Sequence, residues 1–160
     1  MSAQETKLQS ASALAAVHAA SRGTAAVLPI RGASLFETTT HVDSRGELTA
    51  LDNDSNLGFA LQRVFFIRVD LPSAIRAEHA CSAEQVIIVL SGAVSVDIEN
   101  GHERRTLRLV QGRRALWLSA GMWLRMRDFL SGTVLSVAAS RTYADTVYFD
   151  APQPDLISAD

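Results

Sequence analysis

His79 and Cys81 are the residues of this chain best suited to proton chemistry. They stand two apart in Arg76-Ala77-Glu78-His79-Ala80-Cys81-Ser82-Ala83-Glu84-Gln85, directly ahead of the apolar run Val86–Leu90. Side chains at i and i+2 of a strand share a face, so a strand here turns both groups into whatever space its sheet encloses. A neutral imidazole, with a reference pKa of about 6.5, takes and returns protons near neutral pH. A thiol, with a reference near ~8.5, does so only if its pKa is lowered. Without that relation to His79, Cys81 reads as a small buried filler. Arg76 can pair with Glu78 or Glu84 at a rim, or it can hold a phosphate or steady a developing oxyanion.

Further candidates lie outside that segment. Trp123, Arg125 and Arg127 alternate with Leu124 and Met126, so an aromatic ring and two guanidiniums share one face of a strand. Such a face can stack a base and pair phosphates, or it can be an outer face laced with salt bridges. Arg63 falls on the Leu61/Phe65 face of an apolar strand, where a cation needs a partner. Tyr143 is a candidate acid or hydrogen-bond donor, and equally a residue that secures the C-terminal strand.

The elements that must position these groups read as short strands. Expected strands are Ser34–Thr40, Gly46–Leu51, Gln62–Val69, Glu84–Leu90, Ala93–Glu99, Arg104–Val110, Ala115–Leu118, Trp123–Asp128 and Thr133–Ala139, split by Gly-containing turns. Asn100-Gly101 signals a tight hairpin. Val94, Val96 and Ile98 alternate with Ser95, Asp97 and Glu99, one buried row against one wet row. Gln62–Val69 is apolar on both faces, which predicts either a central strand or a subunit contact. Many short strands without a sustained helical period predict an all-β jelly roll over 28–150. The Ala/Ser-rich segment 1–27 is expected as a flexible tail with at most a weak helix at Ser10–Ala20, and 151–160 as a C-terminal tail.

The chain has 160 residues, 48% hydrophobic and 20% charged, which suits one globular domain. A net charge of −2 offers no general attraction to nucleic acid or an acidic membrane. The single cysteine rules out an internal disulfide and fits a reducing cytoplasm. No run approaches the ~20 apolar residues that span a bilayer. Fourteen arginines stand against one lysine, so only arginines on a site-facing strand carry weight.

The ordered series Asp43-x-Arg45-Gly46-x-Leu48, Arg63-Val-Phe-Phe66, Arg76-x-x-His79-Ala80, Leu90-Ser-Gly92, Asn100-Gly101, Leu116-Trp-Leu118 with Trp123, Phe129-x-Ser131 and Ser140-x-x-Tyr143 resembles the cupin-fold nucleotide-sugar 3,4-ketoisomerases, also called WxcM-like or FdtA-like. The resemblance covers about residues 34–150. It implies a cupin-like double-stranded β-helix, a homodimer, and metal-free, cofactor-free conversion of a dTDP-4-keto-6-deoxyhexose to its 3-keto isomer. It further implies His79, Cys81 and Tyr143 as the catalytic set. Arg45, Arg63, Arg76, Gln85, Trp123 and Arg125 are then the residues that hold a dTDP-linked sugar. Where the family pattern is Arg-Gly-x-His-Ala-His-Lys, this chain has Cys81 for the second histidine and Ser82 for the lysine. Its Tyr-x-x-x-Asp-Tyr pattern becomes Tyr143-x-x-x-Val147-Tyr148. A thiol does not inherit an imidazole's role unaided, so a non-catalytic nucleotide-sugar-binding cupin is the rival expectation. A metal is not expected: His79, Cys81 and Glu84 or Gln85 make a poor half-site, and Met122, Trp123 and Leu124 supply no second half.

Overall fold

The computed structural model describes residues 30–53 and 57–158; the segment 1–27 and its expected helix lie outside them. The strands are β1 (Ala33–Glu37), β2 (Thr39–Asp43), β3 (Gly46–Ala50), β4 (Arg63–Val69), β5 (Arg76–Cys81), β6 (Gln85–Ser91), β7 (Ala93–Glu99), β8 (Arg104–Val110), β9 (Arg114–Leu118), β10 (Trp123–Arg127), β11 (Thr133–Ala139) and β12 (Tyr148–Phe149). One five-stranded sheet runs β1-β9-β6-β11-β4, a second runs β12-β5-β10-β7-β8, and β2-β3 form a separate hairpin. Every pairing is antiparallel.

The two sheets face each other across one apolar interior, the all-β cupin-like jelly roll. The first sheet turns Ile87, Val89, Leu116, Leu135 and Val137 inward, and the second answers with Val94, Val96, Ile98, Leu124 and Met126. Alternation on β7 is as expected: Val94, Val96 and Ile98 are buried in this core. A second cluster of Phe36, Val86, Ile88, Ala115, Trp117 and Ala138 lies on the other face of the first sheet, covered by Leu57 and Phe59. The strand buried on both faces is therefore β6, central in its sheet. β4 is an edge strand, which removes the central-strand alternative; Val64 is 46% and Phe66 67% exposed on its outer side.

Four local expectations need correction. The strand expected at Ser34–Thr40 breaks at Thr38, whose N–H and hydroxyl both donate to the Arg113 carbonyl before the chain departs into β2. His79 and Cys81 do not open the strand of Val86–Leu90. They belong to β5, in the other sheet, and the chain crosses between sheets at a corner held by Ser82 N–H to Val147 O and Glu84 N–H to Ser140 Oγ. The Asn100-Gly101 hairpin is longer than a tight turn, because Asn100 Oδ1 accepts from the N–H groups of both His102 and Glu103.

The fourth concerns the expected C-terminal tail, which is anchored as far as it is described. Ile157 joins the core, Gln153 N–H donates to Gly121 O at 2.8 Å, and Ser158 N–H donates to Ser119 Oγ at 3.0 Å. Gly121 has φ +86, and a Cβ there would lie 2.3 Å from the Gln153 carbonyl oxygen. Backbone cannot yield as a side chain can, so Gly121→Ala should cost about 1–3 kcal/mol through strain and a displaced strap. Urea unfolding checks this; an unchanged midpoint would mean that the strap does not contribute to stability.

Candidate active site

The interior is not filled everywhere. Near the edge where β4 of one sheet approaches β5 and β12 of the other, a cavity of about 180 Å³ remains, lined by Phe65, Ile67, Arg76, Ala77, His79, Gln85, Ile87, Leu124, Met126, Val137 and Tyr148. Its walls are mainly apolar, and its polar groups are one imidazole, one guanidinium, one amide and one phenol.

Strand pairing explains how they converge. His79 pairs with Leu124 and Arg76 with Met126, both buried neighbours on β10 that point into the core. Residues three apart on a regular strand face opposite ways. Here the register slips between Leu124 and Arg125, so that Ala77 and His79 oppose adjacent residues and Glu78 is extra. This β-bulge puts Arg76 and His79 on one face. Ala77 and Glu78 adopt φ +68 and +64, positive values without glycine. Each costs about 1–2 kcal/mol.

His79 is half-buried, and burial lowers its pKa from 6.5, while a hydrogen bond to the Ala77 backbone pulls the other way. The ring is thus neutral at physiological pH, in the form of a base. Tyr148 approaches it edge-on with ring centroids 4.9 Å apart. Gln85 and Arg63 flank Ala139 on one row of the first sheet. The Arg63 guanidinium lies 4.7 Å from the Phe65 ring and 5.6 Å from the Tyr143 ring, and its Nε is buried without a hydrogen-bond partner. Tyr143 is itself mostly exposed, 6.2 Å from Tyr148 by centroids. Arg76 has no ion pair with Glu78 or Glu84; its exposed guanidinium is left to the cavity mouth.

Cys81 departs from expectation. It is 5% exposed and absent from the cavity lining, and its thiol donates to the Ala83 carbonyl at 3.5 Å across the corner. Burial pushes its pKa up from 9.0, only partly offset by the Ala83 contact and the charge of Arg63. A neutral, tucked thiol is not a base.

Arg45 also lies apart from His79. It sits at the tip of the β2–β3 hairpin, 88% exposed, with its guanidinium on Asp43. Trp123 and Arg125 face away from the cavity, on the outside of the second sheet, because Leu124 and Met126 take the inward positions between them. There Arg104 stacks over Trp123 at 5.5 Å, and Arg125 and Arg127 both donate to Asp97. Residues that the sequence left unassigned include Tyr148, Phe65 and Ile67. A two-residue strand offers no alternation to read, and two apolar wall residues look like any core. Among the described residues, no group of three or more His, Cys, Asp or Glu is placed to hold a metal ion.

Three comparisons describe what the chain is similar to. The family described as FdtA, WxcM-like, C-terminal, matches residues 31–154. A TDP-4-oxo-6-deoxy-α-D-glucose 3,4-oxoisomerase from Aneurinibacillus thermoaerophilus is 32% identical over 108 residues, covering 67% of this chain and 78% of that protein. The solved TDP-quinovose 3,4-ketoisomerase from Campylobacter jejuni superposes with a TM-score of 0.71 at 29% identity, over 76% of this chain and 94% of that one. A mutant 3,4-ketoisomerase from Thermoanaerobacterium thermosaccharolyticum, solved with TDP-4-keto-6-deoxyglucose, gives 0.68 at 25% identity, over 74% and 88%.

The Asp97 cluster yields a test of its own. Hydrogen bonds from Arg127, Thr106 and Arg125 hold its carboxyl far below the usual range despite burial. The folded carboxylate therefore keeps its charge to lower pH than the unfolded one. Its contribution is complete above about pH 4 and fades as pH falls further. Asp97→Ala should cost on the order of 2–3 kcal/mol at neutral pH, less than a fully buried pair because both guanidiniums are about a third exposed. Its loss should shrink as pH drops below about 4; a pH-independent loss would point to packing instead.

Proposed function

Because this chain belongs to the WxcM-like, C-terminal (FdtA) family, we propose that it is a nucleotide-sugar 3,4-ketoisomerase acting on a dTDP-linked 4-keto-6-deoxyhexose. The observation that carries the reading is a neutral histidine and an arginine without a carboxylate partner on one wall of an apolar-sided cavity. The sugar of the solved relative's ligand, TDP-4-keto-6-deoxyglucose, suits that chemistry.

His79 takes the proton from C3, alpha to the C4 ketone, and the electron pair spreads over an enediolate. Arg76 steadies the developing oxyanion charge, which is worth most in a water-poor site. The proton on O3 moves to solvent or His79, the C4 carbon regains a proton, and the ketone stands at C3 with a hydroxyl at C4. No atoms are gained or lost. Because both carbons exchange one proton each, a single acid–base group can serve both steps, and the neutral Cys81 thiol is not needed. At about 180 Å³ the cavity is smaller than the ~300–1,000 Å³ of whole-ligand pockets. It takes the sugar end, leaving the diphosphate toward Arg63 and the exposed Tyr143 ring.

The edge strand β4, with Val64 and Phe66 uncovered, supports a homodimer through this side of the first sheet. The isolated β2–β3 arm then has a second copy within which Arg45 can act. A single sharp monomer in sedimentation at micromolar concentration would contradict this. No helix among the described residues is long and apolar enough to cross a membrane, and the free cysteine suits work in the cytoplasm.

The test is to incubate the protein with TDP-4-keto-6-deoxyglucose and follow the sugar carbons by NMR. The ketone should migrate from C4 to C3, and Cys81→Ala should do the same within a few-fold. The acid limb of kcat/KM should lie below pH 6.5, the value from which burial lowers His79. Thermal stabilisation by the sugar nucleotide without ketone migration would instead identify a binding protein.

A further inference from the structure

Two backbone features at β5 meet on one side chain. The bulge inserts Glu78 opposite the Leu124–Arg125 step, and Ala77 and Glu78 both take positive φ, +68 and +64. Neither is glycine, so the sequence does not ease the conformation; the surrounding pairings on β10 and β12 impose it. In the resulting turn the Ala77 carbonyl reaches back to the His79 ring and accepts a hydrogen bond from it. Ala77 and His79 line the same cavity.

We propose that the Ala77–Glu78 bulge is a positioning device that selects one tautomer of His79. In a neutral imidazole one nitrogen carries the proton and the other the lone pair, and the hydrogen bond of the first decides which is which. With one ring nitrogen committed to the Ala77 carbonyl, the other is left as the acceptor, the form a general base requires. The ring-edge contact with Tyr148, at 4.9 Å, holds the imidazole plane from the other side. A dedicated carboxylate does this work in many acid–base sites. The acidic side chains nearest in sequence, Glu78 and Glu84, do not do it here. Neither forms an ion pair with the ring, and the only partner shown for the ring is backbone. Ala77 is thus a positioning residue that acts through its carbonyl.

Histidine-selective ¹⁵N labelling and long-range ¹H–¹⁵N NMR, at a pH where the ring is neutral, read the tautomer directly. The unmodified chain should show His79 as one tautomer with two well-separated nitrogen shifts. Ala77→Gly should keep it, because glycine takes the same φ freely. Deletion of Glu78 restores regular alternation and should collapse the two shifts toward an average. In the isomerase assay that deletion should lower kcat by about 10-fold or more while KM changes little, in line with a general base held in the wrong form. Averaged shifts in the unmodified chain overturn the proposal without any variant, which covers a deletion that does not fold. A folded deletion variant with an unchanged single tautomer overturns it too. The kinetic arm rests on the isomerase reading, but the tautomer does not. A single tautomer lost on deletion, in a chain that never moves a ketone, would sink that reading alone.

Discussion

The inward-facing rows of the two sheets set the terms for everything else in this molecule. Each β-strand can present only every second residue to the interior, so what the interior contains is decided by register. On most strands the inward residues are Val, Ile and Leu, and they fill the space between sheets. At the side where β4 faces β5 and β12, the inward positions fall instead to Arg63, Gln85, His79 and, through one inserted residue, Arg76. Packing cannot be completed with such side chains. A cavity is left, and it is lined by the groups that the reaction uses.

That origin also accounts for the electrostatics. The cavity inherits apolar walls from the core, and desolvation keeps the imidazole neutral and the Cys81 thiol protonated. Carboxylates are kept elsewhere. Asp97 gathers Arg125 and Arg127 on the outer face of the second sheet, Asp43 holds Arg45 at the hairpin tip, and Glu99 takes Arg104. The cations that remain near the cavity, Arg63 and Arg76, lack carboxylate partners, which suits an anionic substrate whose charge grows during reaction.

Much of this was legible from residue order. Alternation on β7 announced its buried and wet rows, and the spacing of short apolar runs announced a jelly roll. His79 stood out as the proton-transfer residue, although its strand was misplaced: Ser82–Glu84 cross between sheets through side-chain and backbone hydrogen bonds that leave no periodic trace. The alternation that correctly grouped Trp123 with Arg125 could not tell inside from outside, because the burial of Leu124 and Met126 decides that. Cys81 shares a strand face with His79 on paper, but at the corner its thiol turns to the Ala83 carbonyl. The bulge was hidden for a related reason. Ala77 and Glu78 are ordinary residues in a left-handed conformation that glycine would have advertised.

The central claim is that one neutral histidine moves the proton. Its most direct test is a comparison of the unmodified protein with His79→Ala in deuterium oxide, using TDP-4-keto-6-deoxyglucose and following deuterium at C3 and C4 by NMR. The unmodified protein should wash deuterium into the sugar as the ketone migrates. The variant, still folded by circular dichroism, should lose both signals together by about 10²–10⁴-fold. Deuterium uptake and ketone migration at undiminished rates in His79→Ala would contradict the account and move the base to another residue.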